Sequence, residues 1–398
     1  MTDAAHRRRL NLERVLAAAM TRQGAFTRAE LIELTGLSAP TVGSLTSSQI
    51  RAGLLVDLGA GPSRGGRRPS HMEFNARHGF VAGIDIGPTR TRVGIADLRG
   101  ELIARRIVQT PLDRNPDHML AAIAQELTSL MKDTEIPACR LLTAAAGVPG
   151  VVDPCRGVVI LSPNLKGWSD VPMAEILADA LQTRVLVEND VNLAVTGEHW
   201  KGAARGHDTC AFLSFGTGIG AGVLVNGRLH HGHHFLAGEI GLMCMGPQFV
   251  KPESAIRGSL EAIAGLEALK TRWQAAQPGD GDWIAELFDA AKAGDRSAQQ
   301  TLDDAATFIG IAAANVCSVL DPSLVVLGGA LLAGGALLEP VRQIVSRFIP
   351  MPSVIVTTSL DKDAPLWGSL LVAMREARER LRDELGQRRP AAAALHDM

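Results

Sequence analysis

The chain has few cysteines and lacks the segments that direct a protein to a membrane. Its five cysteines, among 398 residues, are scattered and form no CxxC pair. This excludes a disulfide framework and favours a reducing compartment. The N-terminus reads MTDAAHRRRL, with no apolar segment behind its arginines, so no signal peptide is predicted. Since no apolar run reaches the length of a membrane span, we expect a cytoplasmic protein with no membrane partner.

Lysine is absent from the first 80 residues, which carry 11 arginines against six acidic residues and therefore a net charge of +5. The whole chain has a net charge of −2, so the remaining residues carry −7. A basic head on an acidic body favours a nucleic-acid contact confined to one end. The alternative is that these arginines serve only solubility. The composition, 46% apolar and 21% charged, is that of a globular protein long enough for two or three domains.

Residues 1–79 have the pattern of a winged helix-turn-helix domain. A first helix is predicted with Asn11 as its N-cap. Thr27 and Glu30 have the spacing of a capping box, which opens a second helix, and Gly36 ends that helix. A second and a third helix joined by a short turn containing glycine follow the helix-turn-helix plan.

The third helix is the predicted recognition helix, which in this plan enters the major groove of DNA. Ser38 is predicted to cap it, and Pro40 lies in its first turn. The segment from Ser38 to Ile50 contains no basic residue, so mainly hydroxyl side chains are predicted to face the DNA. The predicted contacts of this helix are Ser38, Thr41, Ser44, Thr46 and Ser47.

The segments LLVDLG and PSHMEFN are predicted to pair as the two strands of a wing around the tip AGPSRGGRRP. The tip presents Arg64, Arg67 and Arg68, which can reach phosphates or a narrow minor groove. We therefore expect the wing to supply much of the affinity for an AT-rich operator of double-stranded DNA. A three-helix packing module with a flexible basic loop is the alternative interpretation.

Residues 80–398 mix strands and helices as in a two-lobed α/β body. Asp85 ends a strand before a tight turn, where an acid can hold the metal of a nucleotide, although many plain hairpins contain Asp-x-Gly. In FGTGIGAG the N–H groups of Gly216, Thr217 and Gly218 are predicted to form an anion nest. The alternative is a glycine hairpin that binds no anion. Asp190, where a strand becomes a helix, is a candidate general base for a sugar hydroxyl or the N-cap of that helix.

Seven further motifs follow the winged helix in an order that resembles the ROK family of sugar-responsive repressors and sugar kinases. They are GIDIG, GVPG, NLKGW, VENDVN, FGTGIGAG, AGEIG and LGGALL. The resemblance covers nearly the whole chain and implies an actin/hexokinase-like fold with a sugar cleft between two lobes. The first lobe would comprise about residues 80–190 and the C-terminal helix, and the second about residues 191–370. Members with a winged helix are typically regulators.

The resemblance implies that the sugar hydroxyls are held by Asn164, Asn189, Asp190 and Glu239, with Asp190 at the position of the kinases' catalytic base. The positions matching the two phosphate loops form a predicted vestigial nucleotide set: Asp85, Gly87, Gly216, Thr217, Gly218 and Gly220. Pro88 stands where the kinases usually have glycine, and it removes an N–H group and fixes φ. Nucleotide binding and kinase activity are therefore predicted to be lost.

The four positions of the family's zinc ligands hold Leu242, Pro252, Ser254 and Ser259 in this sequence. Zinc prefers thiolate, imidazole and carboxylate ligands, so we expect no zinc and no other cofactor. Cys244 with the histidines of HHGHH is the alternative ligand set, although adjacent histidines on a short loop are expected to face solvent. Leu242 is also predicted to make the sugar pocket more apolar.

Together these patterns predict a sugar-responsive transcriptional repressor. A homodimer, with a tetramer as the alternative, would bind a palindromic operator. A sugar that binds one lobe arrangement better would shift the population and release the DNA. The alternatives are an ATP-dependent sugar kinase, a regulator that retains kinase activity, and a DNA-binding protein whose body only dimerises.

Overall fold

Two five-stranded sheets of the same topology form the body, and a three-helix head with a small sheet precedes them. This is the predicted winged helix-turn-helix followed by a two-lobed α/β body. The computed structural model describes residues 3–60, 70–111, 113–163, 165, 167–250, 258–274 and 282–387.

The head consists of three helices and a three-stranded antiparallel sheet. The helices are α1 (Asp3–Thr21), α2 (Arg28–Thr35) and α3 (Ala39–Arg51). The strands are β1 (Phe26–Thr27), β2 (Leu55–Ala60) and β3 (Ser70–Phe74), in the order β1-β3-β2. Strands β2 and β3 therefore pair antiparallel, as predicted for a wing. The core between these elements contains Leu12, Val15, Phe26, Leu31 and Leu45.

The predicted ends of α2 are confirmed. The backbone N–H of Glu30 donates to the Thr27 hydroxyl at 3.3 Å, and the backbone N–H of Thr27 donates to the Glu30 carboxylate at 2.7 Å. These reciprocal bonds form the capping box. Gly36 ends the helix with φ 64°, in the left-handed region that glycine adopts without strain.

Two predicted helix starts differ from the structure. The first helix begins at Asp3, so Asn11 lies inside it and is not an N-cap. Ser38 does occupy the N-cap position of α3, but its hydroxyl bonds to the Thr41 hydroxyl at 2.8 Å and caps no backbone N–H group. Hydroxyl side chains on neighbouring helical turns can satisfy each other in this way, which the capping pattern alone does not reveal.

The first lobe is built on a mixed sheet with the order β11-β7-β4-β5-β6. Its central strand, β4, runs parallel to β7 and antiparallel to β5. Helices α4 and α5 pack on one face of the sheet. A smaller sheet, β8 to β10, adjoins it. The elements of this lobe are β4 (Phe80–Ile86), β5 (Arg90–Asp97), β6 (Leu102–Gln109), α4 (Pro116–Asp133), β7 (Leu141–Val148), β8 (Val151–Asp153), β9 (Val158–Leu161), β10 (Ser169–Val171), α5 (Met173–Leu181) and β11 (Arg184–Asn189).

The second lobe repeats this topology with the order β14-β13-β12-β15-β16. Its central strand, β12, runs antiparallel to β13 and parallel to β15. The elements of this lobe are α6 (Asp190–Lys201), β12 (Cys210–Phe215), β13 (Ile219–Val225), β14 (Arg228–Leu229), α7 (Ser259–Ala264), α8 (Leu266–Gln274), α9 (Trp283–Lys292), α10 (Arg296–Leu320), β15 (Leu324–Gly328), α11 (Leu338–Phe348) and β16 (Val354–Thr357).

Helix α10 is the one helix in the described part of the chain that is long and apolar enough to cross a membrane, judged by length and composition. Half of that segment is buried, and Ile309, Ala313 and Val316 belong to the core of the second lobe. The core helix of a globular domain passes the same test, so α10 is accounted for by packing within the lobe.

The chain crosses between the lobes twice, through α6 and through α12 (Ala364–Gln387), which packs on β4 and β7 of the first lobe. The two helices lie very close together. A Cβ atom on Gly197 would be 2.2 Å from the carbonyl oxygen of Ala364, and one on Gly368 would be 1.9 Å from that of Leu193. Because only glycine fits at such distances, this crossing is fixed by the sequence.

The fully buried carboxylate of Glu198, on α6, holds the segment that leads into α12. Its Oε1 accepts hydrogen bonds from the N–H groups of Ser359 at 3.1 Å and Leu360 at 3.0 Å. Its Oε2 accepts from the N–H group of Ala203 at 2.6 Å. These bonds satisfy a buried charge with backbone donors, and they tie the two crossings together.

The head shares one hydrophobic core with the first lobe and α12. Buried residues of the head, such as Leu54, belong to the same cluster as Leu98 of the first lobe and Met374 of α12. Arg9 of α1 also pairs with Asp383 near the end of α12. The head therefore rests on the first lobe and on the C-terminal helix, so a movement of α12 would act on the head directly.

Candidate functional site

Two adjoining cavities, each of about 190 Å³, lie in the cleft between the lobes, and both border Asp190. We name them by their charged residues. The glutamate cavity is bordered by Asn189, Asp190, Glu239 and Glu261. The arginine cavity is bordered by Asp85, Arg92, Asp190, Asp361 and Lys362. The cleft thus brings together three of the four predicted sugar ligands.

Asp190 is the first residue of α6 and lies at the border between the cavities. Its Oδ1 accepts a hydrogen bond from the N–H group of Val191 at 2.9 Å. The pKa of Asp190 is raised to about 6, mainly by burial and also by the negative charge of Glu239, while the hydrogen bond from the N–H of Val191 opposes the shift. At neutral pH the side chain is mostly ionised, the state in which it can accept a hydroxyl proton or hydrogen bond.

The N-cap of α6 is Asn189, so the alternative role of Asp190 as N-cap is wrong. The Oδ1 of Asn189 accepts hydrogen bonds from the N–H groups of Val191 at 2.8 Å and Asn192 at 3.0 Å. Its Nδ2 donates to the carbonyl oxygen of Gly150 at 2.9 Å. Asn189 borders the glutamate cavity, but most of its hydrogen-bonding capacity is used to position the strand-to-helix junction.

The far wall of the glutamate cavity contains two glutamates and a leucine. Burial raises the pKa of Glu239, and the charge of Glu261 raises it further. Glu261 accepts a hydrogen bond from the N–H group of Ile219 at 2.9 Å. Leu242 borders the same cavity with about half of its surface exposed, 51%, which gives the predicted apolar point in the wall. Carboxylates beside an apolar surface suit a polyol, whose hydroxyls donate and whose C–H faces pack.

Asp85, in the arginine cavity, already has a partner. Arg92 donates from Nη1 to Asp85 Oδ2 at 3.1 Å, and its Nε lies 3.6 Å from Asp363 Oδ1. Burial raises the pKa of Asp85 to about 7, the charge of Asp190 also raises it, and Arg92 opposes the shift. Sequence reasoning missed Arg92. A guanidinium group at this carboxylate competes with the metal of a nucleotide, because both require the same negative charge.

The glycine turn between β12 and β13 is closed by hydrogen bonds within the chain. The N–H group of Gly216 donates to the carbonyl oxygen of Gly218 at 3.1 Å. The next amide, at Ile219, donates to Glu261. The predicted nest requires the N–H groups of Gly216, Thr217 and Gly218 to converge on one anion, and one of these is used inside the turn. The turn thus uses one of the three N–H groups itself, and the nest stays a prediction for the other two.

The remaining predicted ligands are divided between the two cavities and the undescribed segments. Gly87 borders the arginine cavity, and its N–H group donates to the carbonyl oxygen of Arg90 at 3.1 Å. Gly220 borders the glutamate cavity, where a Cβ atom would lie 3.4 Å from the Val191 side chain. Asn164 lies outside the described residues, although its neighbour Pro163 borders the glutamate cavity.

Glu188, a buried residue that sequence reasoning missed, lies next to the cleft. Its Oε1 accepts hydrogen bonds from the Asn189 N–H at 2.8 Å and the Asn192 side-chain amide at 3.0 Å. Its Oε2 lies 2.6 Å from Nε2 of His231, and this contact raises the pKa of His231 against the effect of burial. His231 was expected to face solvent, but its side chain is only partly exposed and is paired with Glu188. The pair joins β11 in the first lobe to a loop of the second lobe.

Ser259, at one of the four zinc positions, is buried at the start of α7. Its hydroxyl donates to the carbonyl oxygen of Met243 at 2.6 Å and accepts from the N–H group of Met245 at 2.9 Å. The hydroxyl thus ties the loop that follows GEIG to α7. In this chain the two hydrogen bonds make a connection between the segments that a metal ligand at this position would otherwise make.

Pro252 and Ser254, two other zinc positions, lie outside the described residues. Within the described residues, no group of three or more His, Cys, Asp or Glu side chains is placed to hold a metal ion. Cys244 and the HHGHH histidines therefore do not form the alternative ligand set there. The Sγ atom of Cys244 instead lies 3.5 Å from the carbonyl oxygen of Gly246. The absence of zinc from the protein remains a prediction.

The recognition helix α3 exposes most of its predicted hydroxyl groups. Ser38 and Ser44 are exposed, and Thr41 and Ser47 are partly exposed. Ser47 donates its hydroxyl to the carbonyl oxygen of Gly43 at 2.8 Å. The opposite side of the helix is buried, through Val42, Leu45 and Gln49.

Thr46 is wrong as a predicted DNA contact, because none of its surface is exposed. Its hydroxyl donates to the carbonyl oxygen of Val42 at 2.8 Å and accepts a hydrogen bond from Nε of Arg28 at 3.0 Å. A threonine on a helix commonly satisfies its hydroxyl on the preceding turn, so its face cannot be assigned from polarity. The predicted contacts of the wing lie outside the described residues: Arg64, Arg67 and Arg68.

The sequence of this chain is similar to those of known proteins, and the similarity shows its family. The model of the ROK family matches residues 81–376. The chain therefore belongs to the ROK family, and its body is the family's two-lobed actin/hexokinase-like fold.

Two relatives in this family carry different names. A xylose repressor from Bacillus spizizenii is 28% identical over 370 residues, which cover 89% of this chain and 93% of the repressor. A glucokinase from Thermotoga maritima is 31% identical over 309 residues, which cover 73% of this chain and 95% of the kinase. The repressor alignment covers more of the chain than the body from residue 80 onward provides, so it extends into the head.

A solved structure extends the likeness to nearly the whole chain. A ROK family transcriptional regulator, a homolog of the E. coli MLC protein, superimposes with a TM-score of 0.77 at 21% identity. The match covers 96% of this chain and 99% of that regulator. The N-terminal helical region of this chain is thus part of a fold that a complete ROK regulator shares.

Proposed function

We propose that this chain is a DNA-binding transcriptional regulator, a repressor that a sugar releases from its operator. The observation that carries the proposal is the winged helix-turn-helix head, which shares one hydrophobic core with the ROK body. A head joined in this way transmits a change of the lobes to the DNA-binding surface. The repressor relative supports the same function, since its alignment extends into the head.

The glutamate cavity is the sugar site of this proposal. Asp190 and Glu239 accept hydrogen bonds from sugar hydroxyls, and Asn189 and Pro163 border the same cavity. Asn164 stays a ligand expected from the family resemblance alone. Xylose is the first sugar to test, because a relative is named for its response to it. A sugar that prefers one lobe arrangement about 100-fold supplies about 2.7 kcal/mol, which is enough to shift an operator near half occupancy.

Three features of the two cavities support loss of the kinase reaction; the first borders the arginine cavity, and the other two border the glutamate cavity. Arg92 holds the Asp85 carboxylate, Pro88 replaces a glycine, and the Gly216 amide is used within its own turn. One observation favours the alternative of an ATP-dependent sugar kinase: Asp190 borders both cavities and is mostly ionised at neutral pH, as a catalytic base must be. The glucokinase relative is similar to the chain at comparable identity.

The remaining parts of the proposal concern the assembly. We propose a cytoplasmic homodimer whose two heads bind the half-sites of a palindromic operator of double-stranded DNA. The protein needs no zinc, because hydrogen bonds of Ser259 tie the loop after GEIG to α7. Pairing of dimers into a tetramer would add further operator contacts.

A gel-shift titration tests this function. DNA from the region upstream of the protein's own gene is titrated with the full chain, with a panel of sugars that begins with xylose, and with and without ATP–Mg²⁺. We expect one sugar to change the DNA affinity about tenfold or more and ATP–Mg²⁺ to have no effect. DNA binding that ignores every sugar, together with consumption of ATP in the presence of one of them, would establish the kinase instead.

A further inference from the structure

Arg28, the first residue of α2, lies against the recognition helix. Its Nε donates to the buried Thr46 hydroxyl at 3.0 Å. Its charge also reaches Asp57 on β2, at the base of the wing. The pKa of Asp57 lies below its ordinary value, chiefly because the Gly59 N–H and the Ser70 hydroxyl donate to it, and Arg28 adds to this effect. The guanidinium group thus lies where α2, the recognition helix and the wing meet.

Within the described residues, the guanidinium group of Arg28 uses only one of its nitrogen atoms. Nε makes the bond to Thr46, whereas Nη1 and Nη2 make no hydrogen bond and lie within 4.0 Å of no carboxylate in that part of the chain. The nearby Arg22 differs, since its Nη2 pairs with Glu30. Arg28 is partly exposed, so its two terminal nitrogens are accessible to an external acceptor.

We propose that Arg28 binds a phosphate of the operator backbone and that Thr46 positions it for that contact. The proposal rests on the DNA-binding function proposed above. In a helix-turn-helix domain the first helix of the motif crosses the DNA backbone while the second occupies the major groove. Arg28 begins that first helix. Its two terminal nitrogens can donate to two oxygens of one phosphate, because the planar guanidinium group matches the geometry of a phosphate.

This contact compensates for the scarcity of positive charge on the recognition helix. Before Arg51, in its last turn, the helix contains no basic residue, so its earlier turns have no cation of their own to attract the phosphates beside the groove. The Thr46 hydroxyl, held on the preceding turn, fixes the guanidinium plane at the side of the helix. Because phosphate contacts position a protein without reading bases, Arg28 contributes affinity to any sequence.

Fluorescence anisotropy with two labelled duplexes tests the proposal. One duplex comes from the region upstream of the protein's own gene, and the other has a random sequence of equal length. The variants are Arg28→Ala, Arg28→Lys and Thr46→Val, with Arg347→Ala as a control that removes the same charge from an exposed position in the second lobe. Circular dichroism and thermal unfolding establish that each variant is folded.

We expect Arg28→Ala to weaken binding to both duplexes by about tenfold and to reduce the salt dependence by about one phosphate contact per head, which is about two per dimer. Arg28→Lys restores the salt dependence but only part of the affinity, because lysine lacks the planar fork. Thr46→Val keeps every charge and weakens binding about threefold, with no further loss in the Arg28→Ala background. That last result separates a positioning role from a purely structural one.

Three results would overturn the proposal. If the wild type binds DNA and Arg28→Ala has the same affinity and salt dependence, Arg28 makes no phosphate contact, while the proposed DNA-binding function still holds. A loss confined to the upstream duplex would mean that Arg28 reads a base. Failure of the wild-type protein to bind either duplex would remove both the contact and the proposed function.

Discussion

The two cavities of the cleft differ in how far the protein has already paired their polar groups. In the arginine cavity, Arg92 holds Asp85 and thereby occupies the negative charge that a bound metal would need. In the glutamate cavity, burial raises the pKa values of both Asp190 and Glu239, and the charge of Glu239 adds to the shift of Asp190, as that of Glu261 adds to the shift of Glu239. The difference indicates that one half of the cleft is kept ready for a ligand and the other is stabilised without one.

The two cavities share Asp190, so this side chain is central both to the proposed sugar sensor and to the alternative kinase. Asp190 borders both, and its charge contributes to the raised pKa of Asp85. A comparison of matched carboxylate-to-amide substitutions on the two sides therefore distinguishes a sugar sensor from a kinase better than either substitution alone.

The largest expected effect is on sugar affinity. Asp190→Asn should weaken binding of the effector sugar by about 100-fold, because a hydrogen bond to a charged group is worth about 1.5–3 kcal/mol. Isothermal titration calorimetry with the sugar identified in the gel-shift panel measures this. An unchanged dissociation constant would mean that the glutamate cavity is not the sugar site.

The same substitution should also stabilise the free protein at high pH. The folded pKa of Asp190, about 6, lies above the ordinary value of 3.8, so the fold favours the protonated form. The stabilising contribution of Asp190 is therefore fully present below about pH 4 and is lost as the pH rises through 6, whereas the amide does not titrate. Asp190→Asn should be more stable than the wild type by about 2 kcal/mol at pH 8 and equal to it near pH 4. Chemical denaturation at both pH values checks this, and a difference independent of pH would contradict it.

A smaller effect is expected at the link between the lobes. The pKa of His231 is raised by Glu188, so the pair contributes stability that is present below the unfolded value of 6.5 and is lost as the pH rises through the folded value. His231→Gln should cost about 0.5–1 kcal/mol at pH 6 and almost nothing at pH 9. The exposed His233 supplies the matched control, since His233→Gln should change stability at neither pH. Equal losses of stability in both variants would mean that the Glu188–His231 pair does not stabilise the contact between the lobes.

The smallest effect is predicted in the arginine cavity. Asp85→Asn makes the same chemical change as Asp190→Asn on the other side of the border. It should leave the sugar affinity within about twofold, because Asp85 is paired with Arg92 and does not border the glutamate cavity. Calorimetry under the same conditions provides the comparison. A loss as large as that of Asp190→Asn would show that the two halves act as one site.

The head was largely predictable because its signals are local. The capping box at Thr27 and Glu30 and the end of α2 at Gly36 depend on residues a few positions apart, and the structure contains them as predicted. The assignment of Thr46 to the DNA surface failed because that face is decided by how α2 packs on α3, and by Arg28 from 18 residues away.

The sequence predicted which residues border the cleft better than it predicted the hydrogen bonds that those residues make. Motif order placed Asn189, Asp190 and Glu239 in one site, and all three border the glutamate cavity. Asn189 and Asp190 lie where β11 becomes α6, and Glu239 lies in the loop after β14. What the pattern could not reveal is which groups the chain satisfies itself. Glu188 finds His231 across 43 positions, and the Ile219 amide finds Glu261 across 42. Such pairs depend on the tertiary fold, and no local pattern specifies them.

The most direct test of the difference between the two cavities is calorimetry of the purified full chain with two ligands in turn. The account predicts that the effector sugar binds and that ATP–Mg²⁺, with or without the sugar, gives no binding heat and no ADP. Saturable binding of ATP–Mg²⁺ with release of ADP in the presence of the sugar would contradict it, because the cleft would then still hold and use a nucleotide.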